Sequence, residues 1–123
     1  MSAVKDMIGS QATKGMHVLG KFAPVIERCG VWRSQEEPRL TTIEAYPSGA
    51  KGSPLIASLR ARVIGEPRDT DDERDALTCA LIAYLFANQP QHLEPPDGSV
   101  PADEGWIWLP RDVLGSRVAR MQR

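Results

Sequence analysis

The stretch Thr70 to Ala87, TDDERDALTCALIAYLFA, decides the fold of this chain. Its opening fits a capping box, in which the Thr70 side chain binds a backbone amide and Glu73 reaches back from three residues on. The body that follows is apolar on nearly every side, as is typical of a helix inside a domain. The sequence therefore predicts a buried helix from Asp71 to about Asn88, with its leucines packed against a strand around Ile43.

Two runs outside this helix are typical of strands. Residues 39–46 are rich in β-branched and aromatic side chains and end at Pro47, and residues 106–109 are short, β-prone and end at Pro110. Two strands alone form a marginal sheet with open edges. We therefore expect a homodimer, or a complex with a chain that supplies missing strands, formed by pairing along the 40–46 strand.

Two further helices complete the predicted α/β order of helix, strand, helix, buried helix, strand. Apolar residues recur at three- and four-residue steps over residues 10–29, which predicts a helix that kinks or breaks before Pro24 and stops at Gly30. A short helix is predicted between Ser53, which suits the N-cap, and Gly65.

Composition limits the classes of protein to which the chain can belong. The 123 residues suit one domain, and 15 basic against 16 acidic residues give a net charge of −1, which excludes a polybasic nucleic-acid binder. We expect a cytoplasmic protein, because no signal segment or membrane-spanning run is present. The two cysteines, Cys29 and Cys79, lie too far apart to suggest a zinc site or a disulfide framework.

Acidic residues are concentrated before and within the start of the buried helix. Six of the 16 lie between Glu66 and Asp75. Acids in a first helical turn offset the helix dipole, but Asp75 lies one turn further in and shares a face with Asp72. A divalent cation between these two carboxylates would relieve their repulsion, and carboxylate oxygen suits Mg²⁺ or Mn²⁺. Glu44 is also unusual, since Glu is depleted in strands, although a solvent-facing position would explain it.

Three successive blocks carry a resemblance to a known family: IEAYP at 43–47, DERDALTCA at 72–80 and EGWIWLP at 104–110. In this order they resemble a domain-of-unknown-function family of predicted nucleases with a ribonuclease H-like fold. The Asp-x-x-Asp-Ala-Leu part of the second block is also similar to the last helix of bacterial Holliday-junction resolvases, which share that fold. The resemblance covers roughly residues 2 to 110.

The resemblance implies a metal site. In ribonuclease H-like nucleases, acids from the first strand, a later strand and the last helix hold two metals, which activate water and stabilise the leaving oxygen. By this resemblance Glu44 is the later-strand acid, and Asp72 and Asp75 are the last-helix acids, all three as catalytic ligands of Mg²⁺ or Mn²⁺. No residue matches the first-strand aspartate. The implied organisation is a partial ribonuclease H-like domain over residues 1–110, lacking the first strands, and a basic tail over residues 111–123.

Two functions are compatible with these features. One is the C-terminal part of a metal-dependent nuclease that hydrolyses nucleic-acid phosphodiesters and is incomplete by itself. The other is a non-catalytic remnant or subunit that binds a protein partner or self-associates. The missing first-strand aspartate favours the second function for this chain alone. A third interpretation is an ordinary structural domain, in which the acidic residues only cap a helix.

Overall fold

A four-stranded sheet organises residues 22–63 and 70–113, the part of the chain that the computed structural model describes. Strands β1 (Val25–Arg28), β2 (Val31–Arg33) and β3 (Thr41–Ala45) form an antiparallel meander. Strand β4 (Ile107–Trp108) lies on the other side of β3 and runs parallel to it. The helices come between β3 and β4, so the predicted mixed α/β content and the two predicted strands are confirmed.

The hairpin of β1 and β2 replaces part of a predicted helix. The predicted helix over residues 10–29 is wrong from Val25 onward, and its first part, residues 10–21, lies outside the described residues. Pro24 removes a helical donor, and the β-branched pair Val25 and Ile26 favours a strand. Gly30, expected to stop a helix, instead turns the chain into β2 with a φ of 77°.

Two helices connect β3 to β4, and both begin where the sequence predicts. Helix α1 (Pro54–Val63) opens with the Ser53 hydroxyl accepting a hydrogen bond from the Ile56 amide at 3.1 Å. Helix α2 (Asp71–Asn88) opens with the Thr70 hydroxyl accepting one from the Glu73 amide at 3.2 Å. Short 3-10 turns at Pro47–Ala50 and Pro90–His92 complete the connection. Neither α1 nor α2 has the length and apolar character that crossing a bilayer requires.

The core lies between α2 and one face of the sheet, as predicted. Val31 of β2 and Trp108 of β4 pack with the leucines of α2, and Ile43 of β3 packs against the same cluster. The Trp108 indole donates to the Gly30 carbonyl at 2.9 Å and meets the Phe86 ring edge-on, with 5.1 Å between ring centroids. This tryptophan therefore fastens β4 to both the hairpin turn and α2.

Only one face of α2 is buried, contrary to the expectation that the helix is covered on most sides. Thr78, Leu81, Ile82 and Leu85 are its buried residues. The opposite face consists mainly of alanines and Tyr84, and these side chains are exposed. Alanine has a high helix propensity, and exposing its small side chain to water costs little free energy. An alanine-rich face therefore does not require an interior position.

The described chain continues to pack beyond residue 110, where the sequence predicts a tail to begin. Val113 is buried, and the Asp112 carboxylate accepts a hydrogen bond from the Leu55 amide at the start of α1. Residues 114–123 of the predicted basic tail lie outside the described residues.

Candidate functional site

The first predicted metal ligand, Glu44, lies on the face of the sheet that points away from α2. Its neighbours Ile43 and Ala45 both pack against the core cluster that contains the leucines of α2. Side chains alternate between the two faces of a strand, so the exposed Glu44 side chain points to the opposite face.

The other two predicted ligands lie on α2, beyond the inner face of the sheet. Asp72 is exposed and Asp75 is half-buried. The described residues contain no group of three or more His, Cys, Asp or Glu side chains that could hold a metal ion. Glu44, Asp72 and Asp75 are thus not brought into one cluster, because β3 places its carboxylate on the wrong side for the helix.

The acids at the start of α2 make local interactions instead. Asp71 forms an ion pair with Arg74, and the hydrogen bond from this guanidinium holds the pKa of the Asp71 carboxyl below its usual value. Burial raises the pKa of the Cys79 thiol, and the nearby Asp75 carboxylate raises it further. These interactions fit the helix-dipole interpretation of the acidic cluster.

Both cysteines are free thiols, as the sequence prediction of no disulfide framework requires. Cys29 is buried in the β1–β2 turn, and its sulfur donates to the Glu104 carbonyl at 3.5 Å. Trp108 lies in the core and Trp106 packs against it, and the Trp106 indole donates to the Glu94 carbonyl at 3.0 Å.

A different feature of the sheet has the character of a binding site, and we call it the outer sheet face. Ile26 pairs with Trp32, which pairs in turn with Thr42, and Glu44 pairs with Ile107. Paired residues point to the same side of a sheet. The bond from the Ser34 amide to the Leu40 carbonyl extends the β2–β3 ladder by one step, which adds Leu40 to this side. The outer sheet face is therefore formed by Ile26, Trp32, Leu40, Thr42, Glu44 and Ile107.

Large apolar side chains on this face are open to solvent. Ile26 is 45% exposed, Leu40 43% and Ile107 43%, while the Trp32 ring beside them is half-buried. Exposed apolar side chains gathered on one face are a common mark of an interaction surface. Isolated exposed hydrophobics, in contrast, need no explanation.

The outer sheet face carries a negative charge beside β4. Glu44 is the only charged member of the six residues, and a Cβ on Gly105 would lie 4.0 Å from its Oε2 atom. Glu104 directly precedes that glycine and is exposed. The Glu104 carbonyl accepts a hydrogen bond from the Cys29 thiol, which connects this residue to the β1–β2 turn.

Sequence reasoning missed this surface because it assigned Ile26 to a helical stripe. The signal that could have found it is the strand-like alternation after the turn, where Val31 is buried on the inner face and Trp32 points to the opposite face. The chain matches no protein-family model, and neither curated proteins nor solved structures include a protein similar to it.

Proposed function

We propose that this chain is a non-catalytic subunit that binds a protein partner through the outer sheet face. The observation that carries the proposal is the set of exposed aliphatic side chains on this face, Ile26 of β1, Leu40 just before β3 and Ile107 of β4. The half-buried Trp32 ring of β2 lies on the same face. Within residues 22–63 and 70–113, the helices α1 and α2 contribute to the core on the inner face, so a partner would add its layer on the outer face. Two-layer and three-layer packing around a sheet are the common solutions for burying such a face.

Nuclease activity is the alternative proposal. It rests on the resemblance to ribonuclease H-like nucleases, with Glu44, Asp72 and Asp75 as ligands of Mg²⁺ or Mn²⁺ and nucleic acid as substrate. Two-metal phosphodiester hydrolysis needs carboxylates that converge on ions about 4 Å apart. Because Glu44 and the α2 acids lie on opposite sides of the sheet, the geometry favours the binding function.

A second copy of the chain fits the outer sheet face less well than a different protein does. Face-to-face packing would bring two Glu44 carboxylates toward each other in an apolar interface, where like charges repel. The edge of the 40–46 strand is not open, since β2 and β4 pair with β3 on its two sides. Strands β1 and β4 end the sheet. Pro24 before β1 and the irregularity between Ile26 and Arg28 both blunt the β1 edge, and β4 is only 2 residues long. The homodimer therefore stays a prediction, for which light scattering of the purified chain is the test.

Binding of a hydrophobic dye to the purified chain tests the proposed surface. The double variant Ile26→Ser, Ile107→Ser should lose most of the dye fluorescence of the wild type. The matched control is Val63→Ser, Tyr84→Ser, which removes two apolar side chains of α1 and α2 that are at least as exposed. Equal losses in the two double variants would argue against a docking surface on the sheet.

An assay for nucleic-acid cleavage separates the two proposals. Single- and double-stranded DNA and RNA are incubated with the chain in Mg²⁺ and in Mn²⁺. We expect no cleavage that depends on Glu44. Cleavage by the wild type that is lost in both Glu44→Gln and Asp75→Asn would establish the nuclease function instead.

A further inference from the structure

We infer that the occupant of the outer sheet face is a basic amphipathic helix of the partner protein. This inference rests on the proposed function and specifies its partner. It follows from the width of the sheet, from the exposed aliphatic side chains on its outer face and from the negative charge of Glu44 beside Ile107.

The dimensions of the sheet suit a helix. Four strands about 4.8 Å apart span roughly 15 Å from β1 to β4, and a helix rises about 1.5 Å per residue. About 10 to 14 residues, three to four turns, therefore cross the whole row from Ile26 to Ile107. One apolar stripe of such a helix would cover the three exposed aliphatic side chains and the Trp32 ring.

The charge on the outer sheet face selects a basic partner. Glu44 of β3 pairs with Ile107 of β4, and the exposed Glu104 lies in the segment just before β4. Neither carboxylate forms an ion pair among the described residues. A partner that covers Ile107 removes water from Glu44, and that loss is offset only if a cation comes with it. A Lys or Arg beside the apolar stripe supplies this cation, whereas an acidic helix or a phosphate backbone is repelled.

Designed peptides test the inference on the full chain. One peptide of about 14 residues has Leu on one face and Lys on the other, long enough to cross the sheet. The second keeps the Leu positions and carries Glu in place of Lys. Binding is followed by the fluorescence anisotropy of the labelled peptide. We expect the Lys peptide to bind about tenfold or more tightly than the Glu peptide, and increasing salt to weaken its binding.

Variants of the chain test whether the Lys peptide binds at the outer sheet face. Glu44→Lys should weaken binding of the Lys peptide about tenfold, because it reverses the charge that attracts the peptide. Glu44→Gln should weaken binding less, because it only removes that charge. The control Glu73→Lys makes the same charge change at an exposed position of α2 and should leave the affinity unchanged. The double variant Ile26→Ser, Ile107→Ser should lose binding of the Lys peptide.

The outcomes separate this inference from the proposal on which it rests. The inference of a basic partner is overturned if the Glu peptide binds as tightly as the Lys peptide, or if Glu44→Lys binds the Lys peptide as tightly as the wild type does. The proposed apolar docking surface would remain in either case. If neither peptide binds but the dye still reports the surface, a helical occupant is overturned. If the dye fluorescence also falls equally in Ile26→Ser, Ile107→Ser and in the control double variant, the proposed docking function is overturned as well.

Discussion

The carboxylate of Asp112 accepts a hydrogen bond from the backbone amide of Leu55 at 2.9 Å, across 57 positions of the sequence. Leu55 is the second residue of α1, where amide groups have no partner inside the helix. Asp112 follows β4 by four positions. The bond therefore joins the start of α1 to the segment behind the last strand, and the negative charge lies at the positive end of the helix dipole.

Removal of this carboxylate should destabilise the domain. We expect Asp112→Ala to lower the free energy of unfolding by about 1–2 kcal/mol, the usual effect of losing an N-terminal helix cap. Urea denaturation followed by circular dichroism measures the change. Asp103→Ala, at an exposed loop position, is the control and should change stability by less than about 0.5 kcal/mol. Equal effects of the two substitutions would show that the Asp112 carboxylate does not cap α1.

Gly30 should not tolerate a side chain. Its φ of 77° is in the left-handed region, and a Cβ would lie 2.5 Å from the Cβ of Trp106. The conformation alone costs roughly 1–2 kcal/mol in a non-glycine residue, and the contact adds to it. We expect Gly30→Ala to lower stability by about 3 kcal/mol or to prevent folding, as overpacking does.

Gly98→Ala is the matched control for this substitution. A Cβ on Gly98 would have no atom within 4 Å, and its φ is not positive. The two variants are compared by thermal unfolding. A melting temperature for Gly30→Ala equal to that of Gly98→Ala would contradict the hairpin geometry described for this turn.

The contrast between β1 and α2 shows how much of the fold the sequence could predict. Helix α2 was predictable because its signal is local: Thr70 and Glu73 fix its start, and its apolar residues have a helical period. Strand β1 was not, because three- and four-residue spacing continues from the preceding segment into Val25 and Ile26. Its true conformation depends on pairing with β2, and such pairing is a tertiary effect that overrides a local pattern.

The candidate site could be predicted even less. Glu44 was singled out correctly as an unusual strand residue, but the side of the sheet to which it points depends on which neighbours pack on α2. The outer sheet face comes from the register of four strands, and two of those strands were not predicted. A sequence pattern can indicate an exposed or buried position, but it does not say which exposed positions meet across strands.

The inner face of α2 should dominate the stability of the domain. We expect Leu81→Ala to lower the free energy of unfolding by about 2–5 kcal/mol, because the residue is almost fully buried in the core cluster. Tyr84→Ala removes a larger side chain from the exposed face of the same helix and should cost less than about 1 kcal/mol. Denaturant titration measures both, and a loss below about 0.5 kcal/mol for Leu81→Ala would mean that α2 does not form the core.

The Asp71–Arg74 ion pair should respond to acid. The folded-state pKa of Asp71 lies below its ordinary value of 3.8, and the first cause is the hydrogen bond from Arg74. A lowered pKa means that the pair favours the folded state above pH 3.8 and that this contribution is lost as the pH falls through the folded-state pKa. Arg74→Gln should raise the Asp71 pKa in a carboxyl NMR titration. An unchanged value would show that the guanidinium does not bind this carboxylate.

Divalent metal should not stabilise the chain through Asp75. A ligand that binds the folded state raises the melting temperature by mass action, so a real site gives a rise that removal of one of its ligands abolishes. Since Glu44 and Asp75 lie on opposite sides of the sheet, we expect Mg²⁺ and Mn²⁺ to change the melting temperatures of the wild type, Glu44→Gln and Asp75→Asn equally. Thermal scans with and without the metal measure this, and EDTA gives the metal-free reference. A rise in the wild type that disappears in both variants would mean that the two carboxylates share an ion, and the nuclease proposal would then replace the binding subunit.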